Sequence, residues 1–460
     1  MKRIALIALA LLVANLAAGA YRQKTPKMSV TPSCKQGLPS KTAKNDSKLS
    51  ATQRLAERND SEGPLSQSVW GFLAVNLEGD TLVALNPDRR LVPASNLKLI
   101  TTGAALMAFG GDHRFNTTFA TDAPVIPGFD RESPVRDSVL LGNLYIMGGG
   151  DPLIGEIFPY LPAPDETFSR WGKVLETNGI RYIAGDIIGD GSYFSGPQYH
   201  PDWNVEDIET RDGVVPSGLT WRGKMGDSLP DNPSTAARHY REWLELHGTV
   251  RLQAAGLPAE AGPIPPVDSL LILGTVESMP LRDIIRIANC QSDNFIAETL
   301  LKELGKRKGD GDDYKQAVEA LKRSLAPLGL MASSGQMRFA DGSGLSRKNY
   351  VSPAFMVSFL KAMYRSRERR DFLASLPFAG EPKTTLENRL PKRPYVLRHR
   401  IRMKSGSMNG VRCFSGYILP SDGKTENTIV FSILTNNAVA SSSQVYPLID
   451  SMIESLAKEN

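Results

Sequence analysis

Cysteine is scarce in this chain. Cys34, Cys290 and Cys413 are the three cysteines among 460 residues. So odd and sparse a set excludes a disulfide framework as the organising device of the fold. Histidine is thin as well: His113, His200, His239, His247 and His399 are scattered, and none forms an HExxH pair or another metal-ligand spacing. A zinc hydrolase is thereby disfavoured, and no metal or organic cofactor is expected. A strong charge excess is also missing. The formal net charge of +5 suits an anionic surrounding but gives no reason to expect a nucleic-acid partner. Past the N-terminus, no apolar run approaches the roughly 18 residues of a spanning helix. Internal repeats are absent too.

What the sequence does have begins at its start. Lys2 and Arg3 precede an apolar run from Ile4 to Leu16, and Ala18-Gly19-Ala20 supplies small residues where a signal peptidase reads. Residues 1–20 are read as a secretory signal, with a short buried helix as the alternative. The mature protein is then expected to begin near Tyr21 and to be exported and extracytoplasmic. It would be soluble or in peripheral contact with a membrane. Cys34 lies too far beyond that cleavage site to be a lipid-modified first residue. Residues 21–48 are basic and rich in Ser, Thr, Pro and Lys, a composition that predicts a flexible leader.

A chain this long suggests two or three domains. Globular patterning starts near Leu49. The segment SVWGFLAVNLEGDTLVALNPDRR predicts two strands joined at Glu78-Gly79-Asp80. In PASNLKLITTGAALMAFGG, the spacing of Leu97, Ile100, Thr101, Ala104 and Ala105 is helical, and Gly110-Gly111 marks the stop. From His113 to about Val267, short apolar runs alternate with Gly, Asp and Pro, with helices expected near 167–178 and 235–246. That stretch is far too long for a loop and is read as one or two inserted domains. Helical periodicity returns over 281–304, 314–328 and 353–364. Strand-like runs follow at RIRMKSG, GVRCFSGYILP and ENTIVFSILTNN, then the amphipathic QVYPLIDSMIESLAKE. The pattern predicts an antiparallel sheet assembled from both chain ends and flanked by helices.

Chemistry concentrates in three places. Ser95-Asn96-Leu97-Lys98 puts a hydroxyl and an amine three residues apart, on one side of a helix. A serine needs a base within hydrogen-bond reach, and lysine serves only as the neutral amine, favoured by desolvation or a neighbouring cation. The pattern recurs at Ser358/Lys361, Ser421/Lys424 and Ser455/Lys458, which read as two exposed helix faces and one turn. The first copy is distinguished by its company. Ser292-Asp293-Asn294 falls within the helical stretch after the insertion, and Lys404-Ser405-Gly406 falls on a predicted strand. Taken singly, these also read as a cap or turn and a solvated strand lysine. Together and in this order they match the S-x-x-K, S-D-N and K-T-G set, with Ser in place of Thr in the third.

With these motifs the chain resembles the penicillin-binding protein 4 type of D-alanyl-D-alanine carboxypeptidase/endopeptidase, the low-molecular-mass class C penicillin-binding proteins. GNLYIMGGGDPLI, ADGSGLSRKNYVSP and GVRCFSGYI extend the likeness over most of the mature chain, as does the insertion between the first two motifs. The resemblance implies an α/β (α+β) fold: a β-lactamase/transpeptidase-like domain over 49–112 and 267–460, its antiparallel sheet flanked by helices, with β-rich inserted domains over 113–266. It implies that Ser95 forms an acyl-enzyme with stem peptides of the cell wall and that β-lactams acylate the same serine. Lys98 would take the serine's proton, Ser292 would relay one to the leaving D-alanine, and Asn294 would orient Lys98. Lys404 with Ser405 would bind the terminal carboxylate. Gly406 and Ser407 would line the substrate, with the N–H groups of Ser95 and Ser407 as oxyanion hole. Asp207 and Arg347 match positions that grip a stem-peptide side chain, with Glu206 an alternative to Asp207. A β-lactamase or esterase, or a non-catalytic wall-binding or β-lactam-sensing protein, are the competing readings.

Overall fold

The computed structural model describes residues 49–128, 138–155, 164–197, 199–208, 215–222, 233–248, 250–252, 264–330 and 337–459. The expected signal peptide, the leader and Cys34 lie outside the described residues.

Helix α1 (Ala51–Ser61) opens the described chain, its first turn capped by the Ser50 hydroxyl, which accepts from the Gln53 N–H. The expected hairpin follows as β1 (Val69–Asn76) and β2 (Thr81–Leu85). Gly79 turns it with a φ of +111°, a conformation glycine adopts without cost. A single 3₁₀ turn, Ala94–Asn96, leads into α2 (Leu97–Phe109), which ends at Gly110. Most of α2 is buried, as its apolar surface on every side requires.

The inserted region comes next. It comprises β3 (Asn116–Thr121), β4 (Val125–Pro127), β5 (Ser138–Leu140), β6 (Leu144–Gly148), α3 (Pro164–Thr177), β7 (Ile180–Ile183), β8 (Ile187–Asp190), α4 (Val205–Ile208), α5 (Pro233–His247), β9 (Arg251–Leu252) and β10 (Leu271–Glu277). Its strands form two four-stranded sheets, in the orders β10-β3-β6-β8 and β4-β5-β7-β9. Phe119, Ile146, Phe168, Trp171, Leu219 and Tyr240 fill the core between sheet and helices. The expected boundary at 266/267 falls between two segments that share a sheet. Strand β10 lies beyond it in sequence, yet pairs antiparallel with β3 from Leu271↔Thr121 to Glu277↔Asn116. Those backbone hydrogen bonds tie residues 271–277 to the insert.

The remaining elements are α6 (Leu281–Gln291), α7 (Asn294–Lys308), α8 (Tyr314–Leu325), β11 (Met337–Arg338), β12 (Tyr350–Val351), α9 (Pro353–Arg365), α10 (Arg369–Ser375), α11 (Tyr395–Arg400), β13 (Ile401–Met408), β14 (Val411–Ile418), β15 (Ile429–Asn436) and α12 (Ser442–Lys458). The main sheet has the order β13-β14-β15-β1-β2, with every neighbouring pair antiparallel. Both chain ends therefore build it. On one face Trp70, Phe72 and Ala74 of β1 pack with α1 and α12. On the other, Val430 and Leu434 of β15 pack with α2, α7 and α9. No helix among the described residues is long and apolar enough to cross a membrane.

Candidate active site

Ser95 sits in the 3₁₀ turn ahead of α2, in the crevice between that helix and the edge strand β13. The turn is held firmly. Val92 and the Asn436 side chain exchange two hydrogen bonds, of 2.8 and 3.0 Å, and the Asn96 amide donates to the Cys413 carbonyl at 3.2 Å. Ala94 adopts a φ of +46°, a conformation L-residues avoid. A non-glycine residue held so beside a polar cleft marks local strain retained by its surroundings.

Lys98, one turn on, is fully buried. Its Nζ lies 2.9 Å from Ser95 Oγ, 2.6 Å from Asn294 Oδ1 and 2.9 Å from the Ser343 carbonyl. The hydroxyl and the amine are within the reach that nucleophile and base require. The second motif comes in from a helix junction rather than from a helix interior. Ser292 terminates α6 with a left-handed φ of 59°, and Asp293 caps α7 by accepting from the Ile296 N–H. Asn294 thereby becomes the first residue of α7, facing Lys98. Asp293 itself turns away and pairs with Arg222 at 2.6 Å, both side chains being nearly inaccessible.

The third motif lies on β13. Gly406 permits the strand to approach the serine's turn, since a Cβ there would stand 2.7 Å from Asn96 Nδ2 and 2.8 Å from the Pro93 carbonyl. Lys404 is buried, and its Nζ donates to the Ser405 carbonyl at 2.7 Å. Burial, and after it the neighbouring Lys98, hold its pKa well below the usual 10.5. Ser405 and Ser407 instead face a cleft of about 530 Å³, lined also by Ser95, Ser292, Asn294, Gly344, Leu345, Thr385, Asn388, Arg389 and Tyr446. The Ser405 hydroxyl donates to Thr385 Oγ1 at 2.8 Å.

Asp207 and Arg347 are not brought to this lining. Asp207, in α4, accepts from its own neighbour Asn204 at 3.2 Å. Arg347 is exposed and donates to the Asn409 carbonyl at the β13–β14 turn. The other S-x-x-K copies stand apart from the cleft, on α9, α12 and the turn before β15.

Several groups around the serine escaped the sequence reading. The Ser343 carbonyl is backbone, and only the surrounding ADGSGLS stretch drew attention to it. Glu298 lies one helical turn beyond Asn294, so the i, i+4 spacing was an available signal. Thr385, Asn388 and Arg389 sit in an irregular segment that has no pattern.

A sheet built from both chain ends, with a serine–lysine pair and two further polar motifs converging on one cleft, is the architecture of the transpeptidase-like class. A family model, the D-Ala-D-Ala carboxypeptidase 3 (S13) family, matches residues 51–227 and 265–459, and the chain belongs to that family. A D-alanyl-D-alanine carboxypeptidase of an Actinomadura species is 26% identical over 454 residues, covering 81% of this chain and 78% of the relative. The penicillin-sensitive carboxypeptidase A of Dictyostelium discoideum is 24% identical, covering 85% and 87%. The crystal structure of penicillin binding protein 4 from Haemophilus influenzae superposes with a TM-score of 0.67 at 18% identity, covering 89% of this chain and 99% of that one.

Proposed function

We propose that this carboxypeptidase works through an acyl-enzyme on Ser95 and trims stem peptides of peptidoglycan ending in D-Ala-D-Ala. The observation that carries this is the 2.9 Å contact between Lys98 Nζ and Ser95 Oγ, with Asn294 on the same amine at 2.6 Å. Ser95 Oγ attacks the carbonyl of the penultimate D-alanine as its proton passes to Lys98. The C–N bond then breaks, and the leaving D-alanine takes a proton relayed through Ser292. Water attacks the ester in the second half, giving up its proton to Lys98 as Ser95 is released. Lys404, through Ser405, supplies the positive field for the terminal carboxylate, and the N–H groups of Ser95 and Ser407 stabilise the oxyanion. A β-lactam opens on the same hydroxyl. Arg347 donates to the carbonyl of Asn409, the residue after Met408 of the cleft lining, and is the proposed grip on the far end of the stem peptide, with Asp207 as its acidic counterpart. Export rests on the signal-like first twenty residues.

The test is labelling with a fluorescent penicillin, followed by peptide mass spectrometry. One adduct is expected, on Ser95. Ser95→Ala should lose both the adduct and D-alanine release while keeping its circular-dichroism spectrum. An adduct on Ser358 or Ser455 would refute the choice of serine. Rapid drug turnover would instead mark a β-lactamase, and no adduct at all a sensing or binding protein.

A further inference from the structure

Ser95 Oγ, Asn294 Oδ1 and the Ser343 carbonyl all stand within hydrogen-bond distance of Lys98 Nζ. A neutral amine has two N–H groups and one lone pair. The amide oxygen and the backbone carbonyl only accept, so together they take both N–H groups. The lone pair is left pointing at the serine hydroxyl, as a base requires. The aim of that lone pair therefore depends on where the Ser343 carbonyl stands.

The loop carrying it is tied down on every side. Thr101 Oγ1 donates to the Gly342 carbonyl at 2.6 Å. Asp341 accepts from the N–H groups of Gly344 and Ser346 at 2.9 and 2.5 Å, from Asn349 Nδ2 at 2.8 Å and from the Trp203 indole at 2.9 Å. Glu298 holds the N–H groups of the two residues leading up to the key carbonyl, while Asp341, through the Gly344 N–H, holds the peptide unit that contains it. Glu298 Oε1 accepts from the N–H of Gly342 at 3.1 Å and of Ser343 at 2.7 Å. Both Glu298 and Asp341 are fully buried.

We infer that Glu298 is a positioning residue for Lys98: by fixing the Gly342 and Ser343 N–H groups it aims the Ser343 carbonyl, and with it the lone pair of the base. This rests on the reading of Lys98 as base. The charges facing Glu298 fit the role. Asp341 stands beside it, Tyr314 faces it from α8, Lys302 lies one turn along α7, and His200 faces Asp341. Burial first, then Asp341, push the Glu298 carboxyl up to about 8. At neutral pH it is mostly uncharged, so no second buried anion favours the ammonium form of Lys98.

Glutamine reproduces the neutral carboxyl, with one oxygen to accept the two N–H groups, whereas leucine fills the space and accepts nothing. The expected result is that Glu298→Leu lowers the rate constant of penicillin acylation at least thirtyfold, with the non-covalent inhibition constant within threefold of wild type. Glu298→Gln should restore most of that rate and move the rising limb of its pH profile to lower pH, because the group that ionises near 8 is gone. A folded Glu298→Leu protein acylating at the wild-type rate overturns the inference. Should that variant fail to fold, Glu298→Met, of glutamine's length but with no oxygen to accept the two N–H groups, takes its place, and wild-type acylation by it overturns the inference equally. Loss of labelling in Ser95→Ala alongside either result separates this failure from failure of the serine mechanism itself.

Discussion

At the scale of single residues, Lys404 sets stability against chemistry. An ammonium taken out of water is costly, and among the described residues Lys404 Nζ donates to one carbonyl, that of Ser405. Its folded pKa is depressed, whereas in the unfolded chain it keeps its proton up to about 10.5. Between those two values the unfolded state binds more protons, so this group makes stability rise with pH across that window. Lys404→Met should therefore melt higher than wild type at neutral pH, with the advantage shrinking as pH approaches 10.5. The same change should lower kcat/KM on a D-Ala-D-Ala peptide by roughly ten- to a hundredfold, the worth of a charge-assisted hydrogen bond. The C-terminal amide of that peptide should lose little, and Lys404→Arg should keep part of the activity. Equal losses on acid and amide would assign Lys404 to tuning Lys98 rather than to binding the carboxylate. Ser95, Lys98 and Asn294 were legible in the sequence because three polar motifs in a fixed order point to one chemistry. Glu298 was not, since an acid within a helix reads as part of a solvated face until the fold buries it.

At the scale of elements, the hairpin, the long helices and the three late strands follow from periodicity and turn residues. The continuous helix expected over 281–304 does not form, and the reason is local. α6 and α7 bury apolar residues on both sides of the break, so the periodicity runs through it, while one residue, Ser292, takes a left-handed φ. Side-chain spacing carries no record of a single backbone angle. The pairing of strand 271–277 is hidden for a related reason: its ladder partner lies about 150 residues earlier, and pairing is not written in a strand's own pattern. Helices α10 and α11 are too short to show a period. Packing of β13 on the serine's turn gives a test at this scale. Gly406→Ala puts a Cβ against the Pro93 carbonyl and Asn96, both part of that rigid turn. Overpacking of this kind costs about 1–3 kcal/mol. Penicillin acylation should fall at least tenfold, with a lower melting temperature. Wild-type acylation by Gly406→Ala would mean that strand and turn have slack between them.

Across the whole described chain, the insert is fastened to the serine cleft and not simply attached near it. Trp203 donates to Asp341 beneath the Ser343 loop, Ser195 and Gly196 donate to Asp312, and Tyr193 donates to Glu303 on α7. The strongest tie is Arg222 on Asp293, at 2.6 Å and almost without water. Asp293 stands between Ser292 and Asn294, so a residue of the insert braces the second motif. Breaking a buried pair from one side is far more harmful than replacing both partners, because the remaining charge loses its counterion in a dry site. Arg222→Leu should therefore destabilise the protein by about 3–5 kcal/mol. Asp293→Asn removes the charge but keeps an acceptor for the Ile296 N–H, so the double variant should recover a good part of that loss, a coupling that a double-mutant cycle reads directly. Trp203→Phe gives up one hydrogen bond and should cost only about 1 kcal/mol. Denaturant unfolding and penicillin acylation, measured on the same four proteins, decide between brace and appendage. If the insert braces the motif, Arg222→Leu slows acylation several-fold under conditions where it remains folded. If acylation is unchanged while stability drops, the ion pair serves only to hold the two parts together, and Ser292 and Asn294 are placed by α6 and α7 alone.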